Sequence, residues 1–137
     1  MPIRKSGAYA LCGGYAGFTP ADAETDFFGI CLRGVTTGGL VKVYIPRTAQ
    51  IRVAEVFWNG ATVVGSNENI SIYVRVNDTT DYLIATVGDA NQLKRFNNTA
   101  LNIPVVQGDY IEIKCVFPTW ATNPTGILLS WLLLLQV

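Results

Sequence analysis

Apolar residues along this chain recur at every second position, not at every third or fourth. The clearest run is Asn69-Ile-Ser-Ile-Tyr-Val-Arg-Val-Asn77, where Ile70, Ile72, Val74 and Val76 alternate with Ser71, Tyr73 and Arg75. A period of two places the first set on one face of a β-strand and the second on the other. Asp109 to Phe117 repeats the pattern, with Ile111, Ile113, Cys115 and Phe117 inward and Glu112 and Lys114 outward. No stretch sustains a helical period, and the apolar runs are separated by clusters of Gly, Asn, Asp, Thr and Pro. The pattern predicts an all-β chain with eight strands, near Phe27–Val35, Leu40–Ile45, Gln50–Trp58, Asn69–Asn77, Tyr82–Val87, Ala100–Val105, Asp109–Phe117 and Ile127–Gln136. Eight such strands suit an antiparallel two-sheet β-sandwich.

The final run, Gly126 to Val137, is apolar on both faces. Ile127, Leu129, Trp131, Leu133 and Leu135 share one face, and Leu128, Ser130, Leu132 and Leu134 share the other. One face can line the subunit's own core. Leaving the leucines of the other in water forfeits roughly 1.5–3 kcal/mol each, so a buried subunit interface is expected, with Leu128, Trp131, Leu132 and Leu134 as its residues. A membrane span is not expected, because twelve residues fall short of the about 20 that a crossing helix needs. A spanning strand would need a closed barrel, which the outward charges of the earlier strands oppose.

Residues 1–26 differ in texture from the domain expected over 27–137. Gly7, Gly13, Gly14, Gly17 and Pro20 alternate with Tyr9, Leu11, Tyr15 and Phe18, and Asp22, Glu24 and Asp26 follow. We read this segment as an arm or linker that either lies across a neighbouring subunit or larger surface through those four large side chains or is a loosely docked terminus.

Composition narrows the function. Ten basic and ten acidic residues cancel over the 137-residue chain, so nothing steers it toward nucleic acid or anionic lipid. Apolar residues make up 50% and charged residues only 15%, a low charge density for a lone soluble monomer that assembly would offset. The three cysteines, Cys12, Cys31 and Cys115, have no spacing suited to a disulfide framework or a zinc site, and Cys115 falls on an inward face. Histidine is absent, which removes the commonest general base and metal ligand. The N-terminus lacks the apolar run of a secretory signal, so synthesis and assembly in a cytoplasm are expected, and the Asn-x-Ser/Thr triplets at Asn69, Asn77 and Asn97 are disregarded as glycosylation sites.

No candidate catalytic group emerges. Glu55, Glu68, Asp78, Asp81, Asp89, Asp109 and Glu112 form no local pair, and Asp78 and Asp81 flank Thr79-Thr80 in a hairpin turn that favours Asp for backbone reasons. Gly13-Gly14 and Gly38-Gly39 lack the strand, helix and lysine of a phosphate loop. No metal and no cofactor are expected. The loop Pro118-Thr-Trp-Ala-Thr-Asn-Pro124 sets Trp120 among hydrogen-bonding residues. Either Trp120 folds back on the end of the sandwich, as a buried Trp does, or it is exposed and can stack on a sugar or anchor a protein contact; on the second reading Trp120 and Asn123, with Trp58 and Asn59, are candidate glycan or receptor contacts.

Four segments carry a resemblance: Tyr44-Ile-Pro-Arg-Thr-Ala-Gln-Ile-Arg52, Tyr73-Val-Arg-Val-Asn77, Val105-Val-Gln-Gly-Asp-Tyr-Ile-Glu-Ile-Lys114 and Pro118-Thr-Trp-Ala-Thr-Asn-Pro124. Their order over residues 27–137 resembles the β-sandwich virion proteins of tailed bacteriophages, a group that looks like the tumour-necrosis-factor and C1q jelly rolls. The resemblance implies a jelly-roll-like fold and a homotrimer whose last strands pack around a threefold axis. It also implies one of three roles: capsid cement or decoration, head fibre, or receptor-binding head of a tail fibre. With its own Met1 and no heptad run or long repeat for a fibre shaft, the chain is read as a decoration protein in the virion. Its expected partners are itself and the major capsid protein or another virion protein. A head that binds a host surface glycan is the alternative.

Overall fold

A computed structural model describes residues 9–30, 35–38, 40–60, 68–88, 93–121, 123–124 and 126–137. Among these the protein is all-β: β1 (Tyr9–Phe18), β2 (Thr25–Phe28), β3 (Val43–Tyr44), β4 (Ala49–Asn59), β5 (Ile70–Val76), β6 (Thr80–Val87), β7 (Leu93–Asn98), β8 (Ile103–Val105), β9 (Tyr110–Val116) and β10 (Ile127–Gln136). Two antiparallel five-stranded sheets form the sandwich. Sheet A runs β1-β10-β4-β7, with β8 also on β4; sheet B runs β2-β9-β5-β6, with β3 also on β9. The expected jelly-roll-like β-sandwich is the architecture found.

The alternating residues form the core as their period requires. Ile70, Ile72, Val74 and Val76 of β5, Ile111, Ile113 and Cys115 of β9, and Ile127, Leu129, Trp131, Leu133 and Leu135 of β10 pack in one buried cluster with Ile51, Val56 and Trp58 of β4. Burying so many aliphatic side chains, at about 1.5–3 kcal/mol each, is the main force holding the sheets together.

Two expectations are corrected. Over Tyr9–Phe18 the N-terminal segment is not an arm. It is the edge strand of sheet A, paired with β10 along its whole length from Tyr9↔Gln136 to Phe18↔Ile127. Glycines hid this strand by breaking its apolar alternation, yet they are what let it pack. A side chain at Gly14 would place its Cβ 2.6 Å from the carbonyl oxygen of Gly29 and 3.1 Å from Nε1 of Trp131, so the two sheets approach closely here only because Gly14 has none. Leu93–Asn98, also unexpected, forms β7 on β4. The strands expected to start at Phe27, Leu40 and Ala100 shrink to Thr25–Phe28, Val43–Tyr44 and Ile103–Val105, and residues 31–34 of the first lie outside the described residues.

The turn motifs work as latches. Asn77 and Asp78 adopt positive φ (52° and 59°), a conformation that Asn and Asp tolerate better than most residues. Asn77 Nδ2 donates to Asp109 Oδ1 at 2.8 Å, and the Tyr110 amide donates back to Asn77 Oδ1 at 3.1 Å. The other Asp109 oxygen accepts the Val106 amide at 2.8 Å, and these bonds hold the Asp109 carboxyl below its ordinary pKa. Tyr110 Oη donates to Asp78 at 2.6 Å, which pushes the phenol pKa up to about 12. Thus the Val-Arg-Val-Asn and Gly-Asp motifs tie the β5–β6 turn to the turn before β9.

Candidate functional site

Among the described residues, strand parity gives the outer side of sheet A a broad apolar character. On β10 it carries Leu128, Ser130, Leu132 and Leu134, beside Gly17, Tyr15, Gly13 and Leu11 of β1 and opposite Asn59, Phe57, Glu55 and Val53 of β4. Leu11 is 67% exposed, Tyr15 62%, Tyr9 60%, Leu128 51%, Phe57 42% and Leu132 40%. Scattered exposed apolar residues are ordinary, but a contiguous apolar sheet face marks an interaction surface. Its glycines shape it: Cβ atoms at Gly13 and Gly17 would sit 3.1 Å from Leu132 Cδ1 and 3.3 Å from Leu128 Cδ2, so these leucines lean over a shelf of bare backbone.

One polar cluster interrupts the grease. Arg95 of β7, paired with Phe57, donates through Nε and Nη2 to Glu55 at 3.1 and 2.9 Å. Asn97 also donates to Glu55. These bonds, Arg95 first and then Asn97, hold the Glu55 carboxyl below its ordinary pKa. Together with Phe57, Ser130 and Leu132 the pair lines a depression of about 260 Å³. At the β8 end Arg52 donates to Asn102 at 2.8 Å.

The structure divides the sequence-derived residues. Leu128, Leu132 and Leu134 share the outer face as expected, but Trp131 does not. Its parity sets it inward with Leu129 and Leu133, and it is 4% exposed. Of the four arm residues, Tyr9, Leu11 and Tyr15 are exposed, whereas Phe18 turns inward, its ring centroid 4.9 Å from Phe28, 5.8 Å from Phe117 and 6.1 Å from Trp58. Two glycan candidates are likewise corrected: Trp58 is 0% exposed and Trp120 is 5% exposed. Trp58 closes one end of the core with Phe117, and Trp120 packs on Phe117 at 6.3 Å. The loop folds back because carboxylates grip its backbone: Asp22 accepts the Trp120 amide at 3.0 Å and Glu68 the Ala121 amide at 2.6 Å. Asn123 is exposed, and Asn59 is half-buried at the rim of the sheet A face.

Sequence reasoning missed Val53, Phe57, Glu55, Arg95 and Asn97 as members of this face. Only the alternation of Val53, Glu55, Phe57 and Asn59 along β4 could have signalled it, and β7 offered no apolar period at all.

Asp26 is buried beside Cys115 at the sheet B edge. Burial first, and then the charge of Glu24 and a hydrogen bond with it, raise its carboxyl pKa to about 6. Burial pushes the Cys115 thiol well above its ordinary value, the condition of an unreactive core cysteine. Among the described residues no three metal-ligating side chains cluster, and no helix is long and apolar enough to cross a membrane. A comparison with protein-family models finds no match, and a search of curated proteins finds none either.

Proposed function

We propose that this chain is a structural virion protein: a homotrimeric sandwich that decorates a phage capsid and acts by non-covalent contact, without catalysis. The observation that carries the reading is the apolar outer face of sheet A. The ten residues of β10 at its centre make it about 34 Å long, and four strands, the six-residue β7 the shortest of them, make it about 19 Å wide, so its plan area is about 600 Å². That approaches the roughly 800 Å² that one partner buries in a stable complex. The sequence resemblance to phage virion sandwiches supplies the trimer and the particle. In such an assembly many copies distribute the load of packaged DNA across added interface, each weak contact strengthened by its neighbours.

With residues 9–18 committed to sheet A, contact with the capsid falls to the exposed loops and outer surfaces and not to a free arm over those positions. The receptor-binding alternative loses support from the burial of Trp58 and Trp120, which leaves its glycan site without stacking rings. Two measurements test the reading together: the oligomeric state of the purified chain, and its copy number and location in purified particles. A trimer present in many copies over the head is the expected result. A monomer at micromolar concentration refutes the assembly reading, and a handful of copies at the tail refutes the decoration role.

A further inference from the structure

An apolar face supplies affinity without a fixed arrangement, because greasy patches tolerate sliding. A polar group buried within such a contact penalises every register except the one that satisfies it. The outer face of sheet A holds one group of this kind. The Arg95 side chain is 74% exposed, yet Glu55 grips it at two nitrogens and Asn97 braces the same carboxylate, so the guanidinium points one way. A guanidinium has five N–H donors. Two are spent on Glu55, and the others have no acceptor among the described residues. Covering this face without answering them would bury unsatisfied donors on a charged group.

We infer that Arg95 is the specificity-determining residue of the self-interface, its free donors answered by an uncharged oxygen of a second copy of this chain. The inference rests on the reading of this face as the self-interface. A second copy fits because the centre of the face carries no net charge, Glu55 and Arg95 cancelling, and because its area approaches what one partner of a stable pair buries. The acceptor is neutral for a reason also on the face. Among the described strand residues there, Glu55 is the sole carboxylate, and it is already neutralised and three times hydrogen-bonded by Arg95 and Asn97 of its own subunit. Ser130, Tyr15, Asn59, Asn97 and Gln136 carry the hydroxyl and amide oxygens of the face.

Sedimentation velocity over a dilution series of the wild-type chain, Arg95→Ala and Arg95→Gln tests this, with circular dichroism and thermal unfolding as the check on folding. The expected result is a single closed wild-type species and an Arg95→Ala chain whose dissociation midpoint moves at least tenfold higher or whose closed species gives way to a spread of sizes. Should Arg95→Ala misfold, Arg95→Gln gives the same readout with the stem of the side chain retained. A folded variant that assembles as the wild type does overturns the role of Arg95 and leaves the self-interface standing. A wild-type chain that stays monomeric removes both, so the two failures are distinguishable.

Discussion

Replacing Leu128 and Leu132 together by serine removes the two central leucines of the sheet A face while leaving its strands paired, since serine already stands between them at position 130. In the isolated subunit these side chains retain 51% and 40% of their exposure, which is the part that assembly can still bury. Full burial of a leucine is worth about 1.5–3 kcal/mol, so the remaining fractions amount to roughly 0.8–1.5 and 0.6–1.2 kcal/mol. Their loss costs roughly 1.4–2.7 kcal/mol per subunit and about 4–8 kcal/mol for a closed ring of three. The concentration at which a trimer half-dissociates varies as the square root of its dissociation constant, so the midpoint rises by roughly 30- to 1,000-fold. Sedimentation equilibrium reads this shift directly. The folding stability of the monomer, measured by urea unfolding, falls by roughly 1.6–3.3 kcal/mol for the shares of the two side chains already buried within the subunit, so the midpoint is read under conditions where the variant remains folded. A double variant whose midpoint moves less than threefold refutes the argument that this face drives assembly.

Three further outcomes follow from the interior. Asp26→Asn flattens the pH dependence of stability: the folded carboxyl has its pKa raised to about 6 against about 3.9 in the unfolded chain. Its contribution is therefore fully present below about pH 4 and lost as pH rises through 6, a fall of about 1–3 kcal/mol in urea-unfolding free energy that the Asn variant lacks. Gly14→Ala drives a methyl group against the Gly29 carbonyl and forces the sheets apart at that edge, lowering stability by about 1–3 kcal/mol in the same assay. Trp120→Ala empties a buried site beside Phe117 and costs about 3–5 kcal/mol; unchanged stability with lost glycan adhesion would contradict the buried placement.

Strand identity was legible wherever both faces differed in polarity, as in β5 and β9. Parity also read the two faces of β10 correctly as sets, with Trp131 beside Leu129 and Leu133, but the expected interface mixed the sets by adding Trp131 to Leu128, Leu132 and Leu134. The inward set is fixed by the facing sheet B, whose Ile72, Val74, Ile113 and Cys115 share the buried core with Trp131 and whose position no local pattern encodes. In β1 the reason for failure was different. Gly13 and Gly17 are selected by backbone and leucine neighbours on β10 more than a hundred residues away, and Gly14 by Trp131 and the Gly29 carbonyl, so locally the segment looks like a flexible arm. The polar half of the site was invisible for a similar reason, because Glu55, Arg95 and Asn97 meet only through the β4–β7 pairing.

In sheet A, β10 lies between β1 and β4, yet among the described strands it follows both of them and every other in chain order. Until β10 emerges from the ribosome, the facing edges of β1 and β4 have no partner and the core lacks Ile127, Leu129, Trp131, Leu133 and Leu135. Such long-range pairing makes folding slow. It also makes the adhesive face a late product: Leu128, Leu132 and Leu134 arrive with the strand that completes the sheet. A chain that stops before β10 therefore cannot present the finished surface, and under the proposed assembly subunits would become competent to associate only once their own sandwich has closed.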